Sequence, residues 1–192
     1  MTRIAVIVGS TRSGRHAGRV GRWVVDQGRA LVPTHVELDL VDLAEVDLPL
    51  LDEPAPAITG RYSHEHTRRW SETVAGYDGF VFVVGEHNHS FPASLKNALD
   101  HLFAEWNDKA AGFVGYGVHA GGAVAIEQLR VVLGELKTAG VRTSVRLAVG
   151  TEIAGEGPLA PGERAQRSLG QMFGELVAWS EALRGVREAV RA

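Results

Sequence analysis

Residues 80–100 read FVFVVGEHNHSFPASLKNALD and decide the fold. The apolar run 80–84 is typical of a strand buried on both faces of a parallel sheet. A polar loop, 85–90, follows at once, and Pro92 suits the first turn of a helix whose leucines recur at helical spacing. Ligands bind at the carboxyl ends of parallel strands, so this loop predicts a site.

The same alternation of strand and helix repeats along the rest of the chain. The predicted strands are residues 4–8, 36–40, 80–84, 110–116 and 141–149. Helices are predicted after the first loop, over 63–75, from about Pro92, from about Ala125 to a C-cap at Gly140, and over 163–187. Five such units favour one domain, 1–192, with the flavodoxin-like three-layer α/β/α fold and a five-stranded parallel sheet of order 2-1-3-4-5.

Composition narrows the classes of function. The chain has 192 residues, 45% of them hydrophobic, which is enough for one core. Its net charge of −3 gives no general attraction to nucleic acid or to an anionic membrane. The absence of cysteine excludes thiol chemistry, and the apolar run 4–8 is too short for a membrane span or a signal peptide. We therefore expect a cytoplasmic protein.

The loop after the first predicted strand is rich in groups that bind anions. It supplies the hydroxyls of Ser10 and Thr11 and the basic side chains of Arg12 and Arg15 before a helix begins. Backbone N–H groups at a helix N-terminus also attract phosphate. Its glycines fit neither the dinucleotide pattern nor the P-loop pattern. Phosphate binding and an ordinary capped turn both remain open from this loop alone.

The loop after the fourth predicted strand, 117–122, contains three glycines and His119. Glycines have no side chain to obstruct a close approach, so we expect this loop to allow a flat ligand near its backbone. In the predicted sheet order, the loops after strands 1, 3 and 4 surround one crevice.

Several of these segments together resemble a known family, the NADPH-dependent FMN reductases. The resemblance rests on Gly9-Ser10-Thr11-Arg12, Glu86-x-Asn88-His89-Ser90-x-Pro92, Leu95-Lys96-Asn97-Ala98-Leu99-Asp100 and Gly121-Gly122. It implies a flavodoxin-like homodimer or homotetramer that binds FMN. It also implies transfer of hydride from NADPH or NADH to a small planar acceptor such as a quinone, an azo dye or free flavin, or to an oxidised metal.

The resemblance also implies which residues meet the cofactor. The FMN phosphate is expected on Ser10, Arg12 and the backbone of 15–17, and the flavin ring and ribityl chain along the loop of Glu86. The other side of the ring is expected near His119. No catalytic side chain is implied, because the cofactor carries the chemistry. The full expected set is Ser10, Thr11, Arg12, Arg15, His16, Ala17, Gly85, Glu86, His87, Asn88, His119, Gly121 and Gly122.

Other chemistry-bearing residues have simpler interpretations. The pairs His64/His66 and His87/His89 have no cysteine or evident third ligand beside them, so no metal site is expected. A hydrolase triad of Ser90, His89 and Asp100 is disfavoured because Gly-x-Ser-x-Gly is absent, and Ser90 is expected to begin a helix. Lys96 is a cation near the ligand or a donor to loop carbonyls. Arg12, Arg15 and Arg19 are also candidates to meet the phosphates of NADPH, although a solvated helix-end position is the simpler interpretation of Arg19.

Two other functions compete with the reductase. A flavodoxin-type electron carrier would share the fold, but such carriers are acidic around the flavin and this first loop is basic. A binding module that has lost flavin is the second alternative. It is suggested by Gly85, His87 and Ala17, which stand where the family commonly has proline, tyrosine and asparagine.

Overall fold

The computed structural model describes residues 1–155 and 157–191. Its five strands form one parallel sheet in the order β2-β1-β3-β4-β5, which confirms the predicted topology. The strands are β1 Thr2–Val8, β2 Val36–Asp42, β3 Gly79–Gly85, β4 Ala110–Gly117 and β5 Ala139–Ala148.

Helices cover both faces of the sheet. They are α1 Ala17–Leu31, α2 Leu43–Val46, α3 Glu65–Ala75, α4 Ala93–Asp100, α5 Ala123–Glu135 and α6 Glu163–Arg191. Helices α1 and α6 share one core cluster with the sheet, and α3, α4 and α5 share the other. Central strands are buried on both sides: all seven residues of β3 are buried. The edge strand β2 alternates between buried and exposed residues only over 36–38, and its Leu40 is exposed, so the predicted alternation is confirmed in part.

Most element ends fall within a few residues of their predicted positions, and two helix ends differ for a physical reason. Helix α5 ends at Glu135 and not near Gly140, because Lys137 takes a left-handed conformation at φ 52° and turns the chain early. Gly140 therefore lies inside β5. Helix α4 begins at Ala93, so the expectation that Ser90 begins it is wrong: Ser90 exchanges backbone hydrogen bonds with His87.

The sequence of α6 predicts one apolar side that serves as core or as subunit interface: Leu169, Met172, Phe173, Leu176, Trp179 and Leu183. The first four are buried against the sheet, and Leu183 packs beside them. Trp179 is 49% exposed and so is not part of the core. None of the described helices combines the length and the apolar character that crossing a bilayer requires.

The prolines at 49, 54 and 56 predict a surface loop over 47–60, and the structure has such a loop between α2 and α3, with one 3-10 turn at Ala57–Thr59. It is held on α4 by Asn97, whose side chain donates to the carbonyl oxygen of Pro49 at 2.7 Å and accepts from the N–H of Leu51 at 2.9 Å. Glu53 fastens the far end of this loop to α3. Its carboxylate accepts from the backbone N–H groups of Ser63 and His64 at 2.7 and 3.0 Å.

The hydrogen bonds that Glu53 accepts make the N-terminus of α3 sensitive to acid. Burial acts to raise the pKa of Glu53, but the hydrogen bonds from Ser63, His64 and Thr67 outweigh it and lower the pKa to about 2. A depressed folded-state pKa stabilises the fold above the unfolded-state value of about 4.3, and that stabilisation is lost as pH falls toward 2. We expect Glu53→Gln to cost about 1 kcal/mol or less in urea unfolding at pH 6 and nothing near pH 2. A gap between the two proteins that does not change with pH would contradict this.

Candidate functional site

The carboxyl edge of the sheet carries a hollow of about 190 Å³ where the loops after β1, β3 and β4 meet the end of β5. Parallel strands bring these loops together although they are far apart in the chain. Six of the residues expected at the site line it: Ser10, Arg12, Arg15, His16, Glu86 and His87. Four further residues, Tyr116, Gly117, Val118 and Val149, complete the lining.

The other expected residues lie near the hollow without lining it. Thr11 lines a neighbouring hollow of about 420 Å³ that lies between α2 and α4. The side chain of Ala17 is buried in the core beneath the first loop, so only its backbone can serve a ligand. Asn88 and His119 are exposed at the rim, and Gly85, Gly121 and Gly122 are buried.

The first loop presents an open helix terminus. His16 is the N-cap of α1, and no side chain among the described residues caps that terminus, so its first-turn N–H groups face the loop without a capping oxygen. Arg15 is held by Asp42 at the end of β2, with Nη2 donating to Oδ2 at 2.6 Å. The Nε of Arg15 is buried and has no hydrogen-bond partner in the described part of the chain. This arrangement places positive charge and N–H donors together, as phosphate requires.

Arg19 does not face the hollow. Its guanidinium donates to backbone carbonyls of the loop before α6, to Gly155 at 2.6 Å and to Gly157. The expectation of a solvated helix-end arginine is therefore wrong in detail: Arg19 ties α1 to that loop.

The loop after β3 is a tight turn. The backbone groups of His87 and Ser90 exchange hydrogen bonds at 2.8 and 3.0 Å, and both residues between them, Asn88 and His89, have positive φ. Positive φ at both central positions is the conformation of a type I′ turn. The turn holds Glu86 at the inner end of the loop.

Glu86 is the polar group in this hollow that most needs a partner. Its Oε2 is buried and accepts no hydrogen bond from the described residues, while Oε1 lies 3.7 Å from Nδ1 of His89. A buried carboxylate oxygen without a donor is costly, because it has lost water and gained nothing in exchange. A ligand with a hydroxyl or N–H group would supply that donor.

Tyr116 is the main site residue that the sequence analysis missed. It is the next-to-last residue of β4, is 7% exposed, and lines the hollow beside the first loop. Burial raises the pKa of its hydroxyl, and a hydrogen bond with Ser10 partly opposes that rise. Its ring packs edge-on to His16, with the ring centroids 6.5 Å apart. A strand-end position at the ligand-binding edge was the available signal, but the sequence also reads as ordinary strand.

Gly85 lies inside β3, paired with Tyr116 of β4, and not in a loop. A Cβ atom at position 85 would stand 2.6 Å from the Tyr116 hydroxyl oxygen and 2.7 Å from Cζ. The tyrosine ring thus occupies the space that a larger residue at 85 would need.

The hydrolase interpretation finds no support in the geometry. Asp100 is paired with Lys96, whose Nζ donates to its two carboxylate oxygens at 2.8 and 2.6 Å, and His89 faces Glu86. Of the described residues, the side chain of Lys96 donates only to this carboxylate, so the structure shows no bond from Lys96 to a loop carbonyl. Ser94 donates to the carbonyl oxygen of Gly9 at 2.6 Å and so joins α4 to the first loop.

Comparison with known proteins gives a consistent result. The family model described as NADPH-dependent FMN reductase matches residues 2–152. An NAD(P)H-dependent FMN reductase of Schizosaccharomyces pombe is 40% identical over 178 residues, which cover 90% of this chain and 88% of that protein. An FMN-dependent NADPH-azoreductase of Staphylococcus haemolyticus is 30% identical over 154 residues, or 78% and 74% of the two chains.

Solved structures support the fold. The flavoenzyme NAD(P)H:(acceptor) oxidoreductase FerB from Paracoccus denitrificans superposes with a TM-score of 0.74 at 21% identity, covering 95% of this chain and 98% of that one. The family match spans all five strands and the loops that build the hollow. By this match and by its relatives, the chain belongs to the NADPH-dependent FMN reductase family.

Proposed function

We propose that the protein is an FMN-dependent oxidoreductase that transfers hydride from NADPH or NADH to a small planar acceptor of the quinone, azo or flavin class, or to an oxidised metal. Membership of the family supports the cofactor and the nicotinamide donor. The name of the azoreductase relative supports planar acceptors. The structural observation on which the proposal depends is the hollow that joins the first loop, the Glu86 loop and Tyr116.

The residues present fit the chemical groups of FMN. The open N-terminus of α1, the Ser10 hydroxyl and the charges of Arg12 and Arg15 suit a dianionic phosphate. The unpartnered Oε2 of Glu86 suits a donor on the ribityl chain or the ring edge. His87, Asn88 and His119 are exposed and would contact the ring from the two loops that also supply Glu86 and Val118 to the hollow, with Gly121 and Gly122 in the second of these loops.

The role of the protein in the reaction is to bind and orient. Bound FMN supplies the redox chemistry by accepting hydride from the nicotinamide and delivering it to the acceptor. The first loop would fix the phosphate end, and Glu86 with its backbone would fix the ring edge. We assign no side chain as a general acid or base. The same open face would serve donor and acceptor in turn, which accords with a broad range of planar acceptors.

The basic first loop distinguishes this proposal from the electron carrier. Arg12, Arg15 and His16 all line the hollow, whereas a carrier of the flavodoxin type is acidic around its flavin. Glu86 argues against the binding module that has lost flavin. If no ligand bound in the hollow, the buried Oε2 of Glu86 would have no hydrogen-bond donor from the described residues.

We also propose that the protein acts in the cytoplasm as a homodimer or homotetramer. The exposed Leu50, Leu51 and Ile58 offer apolar surface for assembly.

The test combines an FMN titration, followed by visible absorption, with an assay of NADPH or NADH oxidation. The purified protein, titrated with FMN, is expected to bind one flavin per chain and then to oxidise NADPH or NADH when a quinone is supplied. Absence of flavin uptake would support the binding module. Flavin uptake without nicotinamide oxidation would support the carrier.

Arg12 provides a sharper test of the phosphate end. It is exposed, so Arg12→Ala should fold normally while losing a charge-assisted hydrogen bond worth about 1.5–3 kcal/mol. We expect the FMN dissociation constant to rise by about tenfold or more. Arg29→Ala is the matched control, since Arg29 lies in the last turn of α1, at the end away from the first loop, and pairs only loosely with Asp26 at 3.9 Å. Equal losses in both variants would remove Arg12 from the site.

A further inference from the structure

A second group of ligand-type side chains lies away from the flavin hollow, where the 47–60 loop packs against α3 and α4. It consists of Asp52 on the loop, His66 in α3 and His101 at the C-cap of α4. One potential ligand atom from each lies within 4.8 Å of the others. The sequence analysis expected no metal site because neither histidine pair had a third ligand beside it. The fold brings that ligand from separate segments.

The residue types are those that bind zinc and similar ions. Two imidazole nitrogens and one carboxylate form a common three-ligand set for Zn²⁺, with bonds of about 2.0–2.2 Å. His66 Nε2 lies 3.0 Å from Asp52 Oδ1, close to the roughly 3.3 Å that separates neighbouring ligand atoms in a tetrahedral site with such bonds. The rings of His66 and His101 meet edge to face, at 84° with centroids 5.8 Å apart. Asp52, on a surface loop, can close the remaining distance.

The contacts of His101 fit those of a metal ligand. The side chain is fully buried, with Nδ1 3.2 Å from the Thr67 hydroxyl and Nε2 3.2 Å from the carbonyl oxygen of Pro49. A metal-bound histidine ligates with one nitrogen and donates from the other to a fixed oxygen, and both ring nitrogens of His101 have such an oxygen beside them.

We propose that Asp52, His66 and His101 bind one divalent transition-metal ion of the zinc type, which fastens the 47–60 loop to α3 and α4. His64 stacks on His66 with ring centroids 5.2 Å apart and has Nε2 4.0 Å from Asp52 Oδ2, so it or a water completes the coordination. None of the three ligands lines the hollow in which we propose that FMN binds, so the metal site is structural and independent of the redox reaction.

Calorimetric titration of the metal-stripped, full-length protein with Zn²⁺ tests the proposal. We expect one ion per chain and a rise in the thermal midpoint with Zn²⁺ but not with Mg²⁺, which prefers oxygen ligands. Asp52→Asn and His66→Gln should each weaken Zn²⁺ binding by about tenfold or more. Both positions are partly exposed, so these variants should fold.

His35 provides the matched control. It forms a similar exposed histidine–carboxylate pair, with Nε2 2.7 Å from Glu181 Oε1, but no third ligand from the described residues joins it. His35→Gln should leave Zn²⁺ affinity and stoichiometry unchanged. The proposal is overturned if the wild-type protein shows no saturable binding of Zn²⁺, or if His35→Gln weakens binding as much as His66→Gln does.

Discussion

Replacing Gly122 with alanine is expected to destabilise the protein by about 2–5 kcal/mol in urea unfolding and to weaken FMN binding with it. Gly122 precedes α5 at φ 82°, a left-handed conformation that costs an L-residue about 1–2 kcal/mol. A Cβ there would also stand 2.5 Å from the backbone nitrogen of Tyr116, and overpacking of that kind costs about 1–3 kcal/mol. The nitrogen of Tyr116 is a backbone atom, so it cannot rotate away from the new Cβ as a side chain could.

Gly60 separates the two contributions. It has a similar φ of 64°, but a Cβ at that position would meet nothing within 4 Å. Gly60→Ala should therefore show only the conformational cost of about 1–2 kcal/mol and leave FMN affinity unchanged. If the two variants lost equal stability, the packing of the 117–122 loop against β4 would not be what requires glycine at 122.

The two glycines of the 117–122 loop were predicted as site residues, but ligand contact is only part of why glycine is needed there. The sequence indicated that Gly121 and Gly122 allow a ligand to approach the backbone. In the structure both are buried and have positive φ, and a Cβ on either would meet the backbone of β4 or β5. Their first requirement is therefore packing of the loop on the sheet edge. Contact with the ring remains a proposal.

The sheet could be predicted because its signal is local. A run such as 80–84 is apolar at every position, which only a strand buried on both faces requires, and the alternation with helices then fixes a parallel order. Helix ends were less predictable, since Lys137 adopts positive φ without being glycine. Nothing in its sequence context indicates that conformation.

Charged and hydroxyl residues of the site were predictable because they stand in loops that directly follow strands. Ser10, Arg12 and Glu86 stood out as polar residues between apolar elements. Tyr116 did not, because it lies within β4, where an aromatic residue is an ordinary strand residue, and its neighbour Gly85 is known only from the pairing with β3. Likewise, Asp52 becomes a neighbour of His66 only through tertiary packing.

Gly85 is a second residue whose surroundings depend on the neighbouring strand and could not be predicted from its own segment. From sequence, glycine in place of the family's usual proline suggested a looser loop. The structure places it in β3, where the Tyr116 ring fills the space beside it. We expect Gly85→Val to destabilise the protein by about 1–3 kcal/mol, because the new side chain must displace the ring. The displaced hydroxyl would also release Ser10, so FMN affinity should fall in parallel.

A double-mutant cycle with Tyr116 tests whether the two residues compensate for each other. Tyr116→Ala alone should cost about 3–5 kcal/mol, as for other large buried aromatic residues. In the double variant the valine introduced at position 85 occupies part of the vacated space, so the combined loss should be smaller than the sum by about 1–3 kcal/mol. Pairing Gly85→Val with Tyr116→Phe should recover much less, because the ring carbon Cζ, 2.7 Å from the new Cβ, remains in place. Additive losses in both pairs would mean that Tyr116 moves aside freely, and glycine at 85 would then have another cause.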